Sequence, residues 1–258
     1  MERRDFLRSA TAGTATLAAA GTLTATTAQA ATTAAERTAA ERTATAAAAS
    51  RRKGPWRVHI VMFDGVEELD FAAPYEIFSA AGMHSPHGVE VRYVTAGAPG
   101  TVRGAYGTSV RVDHGWAPHQ ADVIVVPGGG YRRRNGPGVW AEIDRGVLPR
   151  ALAAAPRRGL TISSLCTGAI LLSAAGLTKG RPCTTHHGAK DELRARGGVV
   201  KDARVVDDGD LVTAGGISSG LELGLWLVRR ELGADAAIGV ETMTEYEARG
   251  TVWTSAMS

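Results

Sequence analysis

With 258 residues, 44% hydrophobic and 21% charged, the chain is long for one domain, short for two, and apolar enough for a globular core. Aromatic residues make up only 5%, and the first fifty residues hold almost no large apolar side chains, so the core must lie downstream. Of the formal net charge of +3, Arg3, Arg4 and Arg8 against Glu2 and Asp5 supply +1. Arg37, Arg42, Arg51, Arg52 and Lys53 against Glu36 and Glu41 supply +3, so the remainder carries −1 and a basic nucleic-acid footprint on the folded part is excluded.

The N-terminus reads as a twin-arginine export signal over residues 1–30. Arg3-Arg4-Asp5-Phe6-Leu7-Arg8 is followed by a mildly apolar Ala/Thr/Leu run and by Ala28-Gln29-Ala30, a small-x-small cleavage pattern. The alternative is an Ala/Thr-rich tail with a chance arginine pair. The run lacks the ~20 strongly apolar residues of a membrane span, so it is expected to be removed, leaving an exported protein with no membrane attachment. Residues 31–55 are a low-complexity Ala/Thr-rich linker, with the local repeat "AAERTAAERTA".

From Trp56 the pattern alternates. "WRVHIVMF" is a strand, "DFAAPYEIFSAAG" a helix, "VEVRYVTAG" a strand, and "TSVRVDHG" a half-buried or edge strand. "ADVIVVPGGG" is a buried parallel-type strand that runs into a glycine loop. "GVWAEIDRGVLPRALAAAPRRG" is helical, with a break or restart expected at Pro149. "GLTISSLC" is a strand and "TGAILLSAAG" a helix ended by Gly176. "HGAKDELRARGG" is a short helix, and "ARVVDDGDLVTAGG" a hairpin turning at Asp207-Asp208-Gly209-Asp210. "SGLELGLWLVRRELG" and "ADAAIGVETMTEYEA" close the domain as helices. One α/β domain is expected over residues 56–248, a mostly parallel sheet covered on both faces, with residues 249–258 as a tail. Ligands in such sheets bind beyond the C-terminal strand ends, which here are the loops after Phe63, after Val126 and at Cys166.

Four stretches carry chemistry. In "SSLCTGAI", Cys166 sits between a strand and a helix among small residues, as a nucleophile elbow requires, and a helix N-terminus there would lower the thiol pKa. The alternative is an inert core cysteine. In "VPGGG", Gly128 to Gly130 could supply backbone donors beside the N–H of Thr167, or form only a tight turn. In "FDGVEELDFAAPYEIF", Asp70 is either an acid–base group or the N-cap of the helix, while Glu67 and Glu68 read equally as solvated. In "CTTHHG", adjacent His186 and His187 are expected to point their rings apart, and no CxxC or HxxxH spacing supports a metal site. "YRRRNG", from Tyr131, reads as a solvated basic loop, with an anionic-substrate contact as the alternative.

These stretches, in this order, resemble the ThiJ/PfpI family, relatives of the class I glutamine amidotransferase domains. "DGVEELDFAAPYEIF", "VIVVPGGG", "SSLCTGAILLSAAGLTKGRPCTTHH" and "DLVTAGGISSGLELGLWLV" carry the resemblance. It implies a flavodoxin-like three-layer α/β/α sandwich, a homodimer, a small-molecule substrate and no cofactor or metal. It makes Cys166 the elbow nucleophile, Asp70 the acidic residue against it, Gly129 and Gly130 the backbone facing the sulfur, and His186 a site neighbour. Thr167 after the cysteine, together with Asp at position 70, is similar to the isonitrile hydratase branch, in which a Cys166 thioimidate would form and Thr167 would orient Asp70, water or substrate. It is also similar to the sensor half of AraC-type regulators, which continue into a DNA-binding region; the chain's end at Ser258 and its charge favour the hydratase. A glyoxalase- or amidase-like enzyme and a redox- or ligand-sensing module stay open. Cys183 departs from the pattern; a structural role on a neighbouring strand is expected for it rather than a bridge to Cys166.

Overall fold

The computed structural model describes residues 54–255, all of them within the second of the chain's two units, residues 45–258. The export signal and nearly all of the linker lie outside the described residues.

β1 (Trp56–Val61) is buried along nearly its whole length, as an apolar run in the middle of a parallel sheet must be. After it come α1 (Glu68–Ala81), β2 (Val89–Thr95), the hairpin of β3 (Gly100–Arg103) and β4 (Ser109–Val112), and the short β5 (His114–Gly115). β6 (Val123–Val126) leads through the glycine loop to α2 (Val139–Arg145) and α3 (Val147–Ala153). β7 (Thr161–Ser164) and α4 (Gly168–Ala174) flank Cys166. The chain continues through β8 (Pro182–Cys183), α5 (Lys190–Ala195), β9 (Val199–Val200), β10 (Val205–Asp208), β11 (Leu211–Ala214), α6 (Ser219–Leu232), α7 (Ala234–Thr244) and β12 (Val252–Thr254).

Eight strands form one sheet in the order β12-β10-β11-β7-β6-β1-β2-β5. All neighbours pair in parallel except β10 and β11, which form the hairpin. Helices α1, α6 and α7 pack together as one layer, and α2, α3 and α4 as the other. The flavodoxin-like α/β architecture is therefore as expected. β6 and β7, buried throughout, put Pro127 and Leu165 side by side at the sheet's C-terminal edge.

The structure departs from the expected elements at four points. The helical stretch after the glycine loop breaks three residues before Pro149, at Gly146, whose φ of +72° closes α2, and restarts at Val147 with Pro149 in the first turn of α3, where a missing N–H costs no helical bond. "TSVRVDHG" divides: β4 pairs with β3 in a separate ribbon, and only β5 edges the main sheet. The domain continues past Ala248, because Val252–Thr254 pairs in parallel with β10. The N-cap of α1 is Glu67, so Asp70 is a third-position residue and does not cap the helix.

Candidate active site

Three loops meet at the C-terminal edge of β1, β6 and β7. The Glu67 N–H donates to the carbonyl of Gly128 at 2.9 Å, the Gly128 N–H donates to Asp70 Oδ2 at 2.8 Å, and the Gly129 N–H donates to Thr167 Oγ1 at 3.1 Å. Such close packing demands glycine. A Cβ on Gly128 would fall 2.4 Å from the Thr167 nitrogen, and one on Gly168 would fall 2.0 Å from the Val126 carbonyl oxygen.

Cys166 occupies the sharp turn between β7 and α4 with φ at +50°, a left-handed conformation that an L-residue holds only under constraint. The constraint is visible. Its N–H donates to Gly215 O at 2.6 Å, and its own carbonyl accepts from Thr185 Oγ1 at 2.6 Å and from the His186 N–H at 3.1 Å. The "TTH" segment therefore clamps the elbow from behind, a role for Thr185 that the sequence reading did not assign. Cys166 is 5% exposed and lines a cleft of about 560 Å³. Gly129, Gly130, Thr167, His186 and Ile217 share that cleft.

Asp70 lies beneath, with no solvent exposure. Its Oδ2 takes the Gly128 N–H, its Oδ1 has no hydrogen-bond partner among the described residues, and the Cys166 thiol is close enough to act on its charge. Burial raises the carboxyl pKa to about 8; the Gly128 N–H opposes the rise, the charge of Glu67 adds to it, and the thiol opposes it. Burial also pushes the thiol up, as does the Asp70 carboxylate, while the N–H groups of Ile217 and Thr167 pull it down. The lowered thiol pKa expected from the helix N-terminus is thus reversed: α4 is only seven residues long, and the dry site outweighs its partial charge. Because the Asp70 carboxylate raises the thiol further, the two groups titrate as an interacting pair.

The remaining candidates sort by their hydrogen bonds. Gly129 was expected to offer a donor to the cleft, but its N–H is taken by Thr167. Gly130, at φ +66°, has an N–H with no acceptor among the described residues. Thr167 positions the glycine loop through its hydroxyl and the sulfur through its N–H. His186 Nδ1 accepts from the Gly188 N–H at 3.1 Å, so the neutral ring carries its proton on Nε2. Burial, His187 and Arg132 lower its pKa. The two histidine rings do not point apart; they pack at 4.2 Å with a 33° tilt. Cys183 lies buried on β8, and both cysteines are free thiols. Ile217 is the residue that sequence reasoning missed. "GGISSG" contributed to the resemblance, but only folding shows its backbone reaching the sulfur.

A strained elbow cysteine beside a buried acid on an adjoining helix, at the C-terminal edge of a parallel sheet, defines a class of α/β proteins. Residues 56–230 match the model of the DJ-1/PfpI family, and the chain belongs to that family. It is 31% identical over 192 residues to the isonitrile hydratase of Pseudomonas putida, covering 74% of this chain and 78% of that one. A deglycase of Pyrococcus horikoshii is 30% identical over 151 residues, covering 57% of this chain and 82% of its own. Among solved structures, a ThiJ/PfpI family protein from Pseudomonas syringae superposes with a TM-score of 0.65 at 25% identity, covering 76% of this chain and 77% of the other. The family thus includes enzymes, of more than one named activity.

Proposed function

We propose that the protein adds water to an isonitrile, R–N≡C, to give the N-substituted formamide, R–NH–CHO. The observation that carries this reading is the Cys166–Asp70 pair, with its sulfur open to the cleft and its acid sealed beneath, in a chain 31% identical to an isonitrile hydratase. The sulfur, as the thiolate of the singly protonated pair, bonds to the terminal carbon while Asp70 delivers the pair's remaining proton to that same carbon, giving the thioimidate R–N=CH–S–Cys166. Asp70, now a carboxylate, takes a proton from water as the oxygen adds to the carbon. Asp70 passes that proton to the nitrogen; the C–S bond then breaks while Asp70 takes the proton of the adduct's hydroxyl, so the formamide leaves and the singly protonated pair is restored. The free N–H of Gly130 donates to the oxygen of the tetrahedral adduct. Thr167 holds the loop that carries this donor.

Incubating the protein with cyclohexyl isonitrile and measuring the formamide by mass spectrometry tests the reading. Wild type is expected to form it and Cys166→Ala is not; absence of product from wild type overturns the assignment. The 30% identity to a deglycase supports a second reading, a carbonyl-directed activity of the same cysteine, whose marker is lactate formed from methylglyoxal. The reading extends to twin-arginine export, tested by fusing residues 1–30 to a reporter, and to a homodimer, tested by light scattering.

A further inference from the structure

The three consecutive arginines after the glycine loop do different things. Arg134 lies 3.5 Å over the Trp140 ring and reaches Glu192 at 3.9 Å, so it belongs to the packing of the loop. Arg133 donates to the Ala105 carbonyl at 3.3 Å, tying the loop to the β3–β4 ribbon. Arg132 has no hydrogen bond or ion pair among the described residues, yet it lines the Cys166 cleft together with Arg133, Tyr106 and Tyr131. Its charge reaches His186 across that cleft.

The loop that carries Arg132 is a built element. Its two ends touch backbone to backbone: a Cβ on Gly130 would lie 2.2 Å from the Pro137 carbonyl oxygen, and one on Gly138 2.6 Å from that of Gly129. Trp140 Nε1 donates to the Tyr131 carbonyl at 2.7 Å, and the Arg133 N–H donates to Gly130 O at 2.9 Å. The backbone that carries Arg132 is thus held at the cleft rim by a braced turn. Glu67 is the acidic side chain in the same cleft, and burial together with Glu68 disfavours its charge.

We infer that Arg132 is a recognition residue for an anionic group on the substrate, so that the protein takes small molecules in which a carboxylate, or an anion of similar size, is joined by a short spacer to the carbon attacked by Cys166. The inference rests on Cys166 as the reacting centre, and it narrows the proposed substrate to isonitriles bearing a carboxylate. A general attraction for anions would not produce this selectivity, because the chain from Trp56 onward carries a net −1. A guanidinium with its donors free is the group suited to bind a planar carboxylate through two hydrogen bonds.

Alkylation of Cys166 tests the charge reading independently of turnover. Iodoacetate and iodoacetamide react alike, the sulfur displacing iodide, and differ in one negative charge. The ratio of their rate constants, read by mass spectrometry of the Cys166 peptide, is expected to fall about five-fold in Arg132→Ala and further in Arg132→Glu, with Arg132→Lys near wild type. The difference should shrink as salt rises. Arg158→Ala, which removes an exposed charge far from the cleft, should leave the ratio in place. An unchanged ratio in both Arg132→Ala and Arg132→Glu, an equal fall in Arg158→Ala, or no labelling of Cys166 by either reagent overturns the proposal. A second arm compares isocyanoacetate with its ethyl ester, where Arg132→Ala should raise KM for the acid selectively. If neither isonitrile reacts while the alkylation ratio shifts as expected, the hydratase reading fails and the anion site stands.

Discussion

The two ends of the sheet each bury an aspartate, and they treat it in opposite ways. At the end bearing the β10–β11 turn, Asp207 is 5% exposed and accepts from Trp226 Nε1 at 2.8 Å, from Arg230 Nη1 at 3.1 and 3.0 Å, and from the Gly209 N–H at 2.9 Å. Arg230 also reaches Thr161 Oγ1 at 2.7 Å, joining α6 to the start of β7. At the end bearing Cys166, Asp70 receives one backbone N–H and lies beside a thiol. One carboxylate has donors on both oxygens and an arginine beside it; the other, starved of donors, holds its proton to about pH 8. The same residue type is a structural knot in one place and a proton store in the other, and the difference lies in the number of donors aimed at it.

The comparison is open to test, beginning with the largest effect. Cys166→Ala should lower kcat/KM for an isonitrile by about three orders of magnitude or more, with thermal stability near wild type. Asp70→Asn should cost about a hundred-fold in kcat/KM while leaving stability unchanged or higher, since the amide keeps an acceptor for Gly128 and carries no charge to bury. Asp207→Asn should do the reverse. It would destabilise the fold by about 2 kcal/mol in urea melts, leaving Arg230 without its counter-charge, and kcat per folded molecule should hold. If Asp70→Asn proved the more destabilising of the two, the contrast between the ends would be wrong.

The pH dependence sharpens the same contrast. Activity should rise with pH through about 8 as the Cys166–Asp70 pair gives up its first proton. Stability should run the other way: a carboxyl whose folded pKa is raised to about 8 favours the fold fully below its unfolded value and loses that contribution as pH climbs through 8. Asp70→Asn should flatten that slope. The smallest effect concerns His59, buried on β1, whose pKa is lowered to about 4 chiefly by burial, with Arg92 adding to it. The fold binds fewer protons there than the unfolded chain between pH 6.5 and about 4, so stability should fall over that window. His59→Gln should reduce the acid loss by on the order of 1 kcal/mol, read from melts at pH 7 and pH 4.5.

Much of this was legible in the sequence because it depends on local pattern. Continuous apolar runs at "WRVHIV" and "VIVV" announce buried parallel strands, and the order of strands and helices yields the flavodoxin-like sheet. "SSLCTG", with small residues on both sides, marks Cys166 as an elbow, and the position of "DFAAPYEIF" after the first strand brings Asp70 to the same edge. Contacts between distant segments decided the rest. The backbone of Ile217, the Thr185 clamp on the Cys166 carbonyl, the exchange of roles between Gly129 and Gly130, and the edge strand at Val252–Thr254 all depend on loops that meet only after the sheet forms. The direction of the thiol pKa belongs with them. Sequence shows a helix start beside the sulfur, but burial and a facing carboxyl set the sign, and both are properties of the packed interior.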